Sequence, residues 1–119
     1  MHQARRDHGS CAVANYVYVA CGAIGRWRVK YLQSIERINM NDMFGGWEQL
    51  LVSNNKNLSP RTHVFMAGLS RDELVIIGGI VKRDKATKAD GYILDIPKMH
   101  LKTVIKNTDG NICIAADEN

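Results

Sequence analysis

Residues that could do chemistry are few in this chain, and their spacing narrows the options quickly. His8 and Cys11 stand three residues apart, close enough to suggest an imidazole that activates a thiol as a nucleophile. No neighbouring residue supplies an oxyanion hole or a third group to orient the imidazole. The pair therefore reads as a strand-entry histidine and a buried thiol, and no catalytic residue is assigned. His2, His8, His63 and His100 are scattered without the spacing of metal ligands. Cys11, Cys21 and Cys113 form an odd set with no CxxC pair, which argues against a disulfide framework or a zinc site. Small reduced thiols of a cytoplasmic protein are the plainer reading. No metal and no cofactor is expected. Gly22-Ala23-Ile24-Gly25 has the outline of a GxxG loop that clamps RNA. Such a loop joins two helices, whereas this one follows a strand, and it lacks the third glycine of a dinucleotide fingerprint.

What remains is charge. Arg26, Arg28 and Lys30 interleave with Trp27 and Tyr31 in one short stretch, and Lys82, Arg83, Lys85 and Lys88 crowd another. Arg and Trp are favoured anchors at protein interfaces, and loops on a rigid scaffold carry much of binding function. The plain alternative is that polar loops are simply rich in lysine. The net charge is +4, from 16 basic and 12 acidic residues. That mild excess suits an acidic peptide or protein surface and does not call for nucleic acid.

These stretches must be positioned by strands. A length of 119 residues with 45% apolar content suits one globular domain. No run of 18 apolar residues occurs, so no membrane-spanning helix is expected. Arg5 and Arg6 ahead of the apolar run 11–25 imitate a secretory leader. The run is β-branched and alternating, however, and has a partner at 64–79 in mid-chain. Asn57-Leu58-Ser59 matches a glycosylation sequon but is followed by Pro60, and is discounted. Strands are expected over 10–14, 16–21, 33–39 and 47–52, then over 62–68, 74–78, 91–96 and 101–105. Loops are expected over 22–32 and 80–89, a connection over 53–60, and the start of a further strand at 112–115. No segment sustains a capped 3.6-residue apolar period, so little helix is expected.

The two sets of strands are copies. Tyr16-Val17-Tyr18-Val19-Ala20-Cys21-Gly22 returns as Leu74-Val75-Ile76-Ile77-Gly78-Gly79. Arg6 and His8 precede the first run as Arg61 and His63 precede the second, at an offset of 55 residues. Gly22 and Gly79 are 57 apart, and Asn39 and Asp95 are 56 apart. A self-similarity near 50 residues marks a repeat architecture.

On these residues the chain resembles the kelch-repeat β-propeller family. The resemblance rests on Arg6, His8, Cys21, Gly22 and Trp47 in the first copy and on Arg61, His63, Gly78, Gly79 and Leu101 in the second. It covers residues 5 to 106. Cys21 stands where the family has glycine, Ile38 where an aromatic is usual, and Leu101 where tryptophan is usual. The fold implied is all-β, with two four-stranded antiparallel kelch-type blades at 5–52 and 58–106 and a further strand beginning in 111–119. Two blades do not close a ring, so a longer chain, further blades or self-association is implied. Loops 22–32 and 80–89 would then emerge at one end and present Arg26, Trp27, Arg28, Lys30, Tyr31, Lys82, Arg83, Lys85 and Lys88 to a protein or acidic peptide. The implied role is a non-catalytic interaction module. A structural piece that docks to other blades is the alternative, and a fragment of a kelch-type oxidase is the weaker one. Trp47 is expected to be buried, its loss costing on the order of 3 kcal/mol.

Overall fold

Tyr, Val and Ile dominate the two repeated runs, and side chains branched at Cβ or aromatic pack best on a pleated surface. Short polar turns, Ala14-Asn15 and Arg71-Asp72, reverse the chain after each inner strand. The result is all-β. The computed structural model describes residues 1–81, 87–108 and 111–114. Among them the strands run in the order β1 (Gly9–Val13), β2 (Tyr16–Ala20), β3 (Ala23–Ile24), β4 (Lys30–Tyr31), β5 (Ile35–Asn39), β6 (Trp47–Gln49) and β7 (Arg61–Thr62). They continue as β8 (Phe65–Ser70), β9 (Glu73–Ile77), β10 (Ile80–Val81), β11 (Gly91–Asp95), β12 (His100–Thr108) and β13 (Asn111–Ile114). Single 3-10 turns at Met43–Gly45 and Asn55–Leu58 are the helical segments among the described residues. No helix among them is long and apolar enough to cross a membrane.

Two antiparallel sheets carry the architecture. The first has the order β1-β2-β5-β6 and the second β8-β9-β11-β12-β13. Two ribbons, β3-β4 and β7-β10, sit between the main strands. Equivalent pairs have equivalent registers: Gly9 faces Ala20 as Phe65 faces Ile77, and Ile38 faces Trp47 as Leu94 faces Leu101. The uneven offsets now have a cause. A β-bulge between Gly68 and Ser70 inserts Leu69 into β8 and shifts the count from 56 to 57. The connection from β9 to β11 is one residue shorter than that from β2 to β5, which restores 56.

The core lies between the sheets. Val13, Tyr18, Ala20 and Ile35 come from the first; Met66, Leu74, Ile76, Tyr92, Leu94 and Leu101 come from the second. The inner strands approach closely because glycine sits at the contact. A Cβ on Gly9 would lie 2.6 Å from Val64 Cγ2 and 2.9 Å from Met66 Cγ, and one on Gly68 would lie 3.1 Å from Val13 Cγ2. The molecule is flattened, with principal extents of 46 × 39 × 19 Å.

Candidate interaction site

The first basic loop grows from the end of β2. Cys21 (φ 64°) and Gly22 (φ 96°) take left-handed backbone and turn the chain out of the sheet. Gly78 (φ 74°) and Gly79 (φ 104°) repeat the turn after β9. Leu32 N–H donates to Gly22 O, as Lys88 N–H donates to Gly79 O, both at 2.8 Å. These bonds close the base of each loop.

The expected loop 22–32 is in part a ribbon, because Ala23 pairs with Tyr31 and Ile24 with Lys30. Arg6 secures it: its N–H donates to Ala23 O at 3.0 Å, and its Nη1 donates to Gly25 O at 2.8 Å. Trp27 stands at the tip, 89% exposed, with the Arg26 guanidinium 5.4 Å from its ring centroid. That stacking is worth about 0.5–1 kcal/mol at an exposed site and limits the ring's freedom before any partner arrives. Arg26, Arg28 and Lys30 are exposed and Tyr31 is half-buried. Tyr31 and Lys30 line an open groove of about 330 Å³ with Gln3, Gln33, Gln49 and Pro60. On the second loop Lys88 lies half-buried at the base, while Lys82, Arg83 and Lys85 lie outside the described residues. Ile80–Val81 pairs with Arg61–Thr62, so this loop also begins as a ribbon.

Beneath each loop sits a buried arginine. Arg61 Nη1 donates to Gly78 O at 2.9 Å and to Asp90 Oδ1 at 2.7 Å; Nη2 donates to Asp90 Oδ2 at 3.1 Å and to Ser59 Oγ at 2.8 Å. The Tyr92 hydroxyl donates to Asp90 Oδ2 at 2.5 Å. Burial, reinforced by the Asp90 carboxylate that it hydrogen-bonds, pushes the Tyr92 phenol well above its ordinary value. Arg5, not Arg6, fills the same place in the first sheet: its Nη1 donates to Cys21 O at 3.0 Å and to Ser34 O at 2.9 Å, and its Nη2 pairs with Glu36. The counterpart of Arg61 is thus the neighbour of the residue that the sequence singles out, at an offset of 56. The histidines shift likewise. His63 (φ 59°) matches Asp7 (φ 55°) in backbone, and its N–H donates to Asp7 O at 2.8 Å. His8 is half-buried beside Gly22, whose added Cβ would lie 2.9 Å from His8 Cβ.

Trp47 departs from its expected burial. It is half-exposed on β6, the edge strand of the first sheet, whereas its register equivalent Leu101 is 1% exposed in the core, with β13 outside it. Cys21 is fully buried, and burial pushes its thiol up to about 12. We expect alkylating reagents at neutral pH to modify the half-buried Cys11 while Cys21 stays protected until the chain unfolds; mass spectrometry of a labelling time course reads this directly. Among the described residues no group of three His, Cys, Asp or Glu side chains could hold a metal ion.

The fold and the loops define an all-β protein of two successive antiparallel sheets, with a cationic, aromatic ribbon at one end. No protein-family model matches the chain, and no curated protein matches it.

Proposed function

We propose that the chain is a non-catalytic protein-interaction module of the kelch-propeller kind, its two main sheets being successive blades. The loops after β2 and β9 present cationic and aromatic side chains to an acidic peptide or protein surface. One observation carries the reading: Trp27 is 89% exposed at the tip of a hydrogen-bonded ribbon, stacked by Arg26 and flanked by Arg28 and Lys30. A large apolar ring held in water on a rigid support is a ready anchor for a partner. Charge on the same ribbon steers acidic partners and sets on-rate and specificity, while burial of the ring supplies affinity. The repeated arginine clamps under both loops support the blade reading, since each ties a loop base to its own sheet.

Fluorescence titration with an Asp/Glu-rich peptide carrying one aromatic residue tests the module. We expect a change in Trp27 emission that weakens as salt is added and vanishes in Trp27→Phe, which retains Trp47 as an internal control. Binding that is unchanged in both Trp27→Phe and an Arg26→Glu, Arg28→Glu variant would remove the ribbon from the function.

A further inference from the structure

Each main sheet has two faces, and the sheet-to-sheet contact uses one of each; on the other face of the first sheet the N-terminal segment reaches Glu36 through His2 and Arg5, while Ser10 and Ala12 stay exposed. Inside, Gly9, Cys11 and Val13 of β1 meet Met66 and Gly68 of β8. Strand alternation puts the equivalents of the mated residues on the faces left open. The open face of the second sheet shows Phe65 and Ala67, equivalents of Gly9 and Cys11; that of the first shows Ser10 and Ala12, equivalents of Met66 and Gly68. The internal contact joins two non-equivalent surfaces of one repeated unit, and the chain exposes one of each.

We propose that these open faces bind each other between copies of this chain, head to tail, repeating the contact made inside it. Continuity with the internal interface is the first argument. Size is the second. Gly9 accommodates Met66 inside; in the repeated contact the bulky Phe65 would meet the small Ser10. The Gly68–Val13 contact becomes Ala12 against the Leu69–Ser70 bulge. At the first pair large and small have exchanged sides; at the second the small residue stays on its own side and each partner is one carbon larger. Both protruding residues are bare, Phe65 at 60% and Leu69 at 54% exposure. Each open face is the reverse of a mated one, so the two lie on opposite sides of the pair of sheets. A contact of this heterologous kind leaves an open face at each end until it closes a ring, and otherwise grows a fibre.

The inference does not rest on the basic-ribbon reading, and Trp27→Phe should assemble as the parent does. Sedimentation velocity across a concentration series tests it, with circular dichroism to show that each variant is folded. We expect the chain to assemble. Phe65→Asp spoils one open face and Ala12→Trp the other; each substitution is on the surface, and each alone should be monomeric. Mixed, they should form a one-to-one complex of twice the 13.3 kDa chain mass and no larger, because each retains the face the other lacks. A parent chain that stays monomeric at every concentration would overturn the proposal. So would two folded variants that fail to pair.

Discussion

Arg61→Ala is expected to destabilise the protein by about 3–5 kcal/mol, because it strands the partner carboxylate rather than merely deleting a contact. The guanidinium is 2% exposed and Asp90 14% exposed, so water cannot take over the lost bonds. Gly78 O and Ser59 Oγ lose their donors at the same time. Urea denaturation followed by circular dichroism measures the effect. The double variant Arg61→Met, Asp90→Leu should be less destabilised than Arg61→Ala, since it leaves no orphan charge. The pH dependence has a definite sign. Desolvation alone would raise the Asp90 carboxyl, but hydrogen bonds from Arg61 and Tyr92 and the Arg61 charge outweigh it and hold the group below its ordinary value. A carboxyl depressed in the folded state binds protons more readily when unfolded. Its contribution is therefore complete above about pH 4 and is lost as pH falls through the folded value. The acid limb of the stability curve should flatten in Asp90→Asn; an unaltered limb would show that this pair does not govern it.

Leu101→Ala should cost about 2–5 kcal/mol, the range for emptying a packed core site, whereas Trp47→Ala should cost about 2 kcal/mol or less. The order is the reverse of what residue size suggests. Leu101 and Trp47 hold the same register position opposite Leu94 and Ile38, but Leu101 is 1% exposed and joins Leu94 and Ile76 in the core, while Trp47 is half-exposed on the edge strand β6. Cavity cost depends on how many neighbours are left facing a void, and Leu101 lies inside the core cluster. Thermal and urea midpoints for the two variants decide it. Trp47→Ala proving the more damaging would mean that the tryptophan face is covered in solution, which the sedimentation experiment would also register.

The strands were legible because their signal is local. Tyr16–Ala20 and Glu73–Ile77 are β-branched or aromatic runs stopped by small residues, and the repeat between them is visible residue by residue. The ribbon of Ala23–Ile24 with Lys30–Tyr31 left no such mark. Its two-residue strands depend on bonds from Arg6, which is remote in sequence. The choice between Arg5 and Arg6 was equally hidden. Both precede a strand, and only the pairing of Arg6 with Ala23 decides which side chain turns inward. The carboxylate gave no help, because it sits on β5 as Glu36 in one copy and ahead of β11 as Asp90 in the other. Whether Trp47 faces inward depends on which side of its sheet the second sheet covers, and that is a property of the pair, not of either repeat.

Gly22 N–H donates to Arg61 O at 2.9 Å, Arg61 N–H to Leu32 O at 3.1 Å, and His63 N–H to Asp7 O at 2.8 Å. The leading segment of the second sheet is thereby stitched into the first. During synthesis this imposes a waiting time. The N-terminal strands can pair as they leave the ribosome, yet their loop base keeps an unpaired N–H and carbonyl until residues 61–63 have emerged. Nascent protein arrested after β6 should accordingly offer chaperones and proteases an open seam, which closes abruptly once those three residues are out.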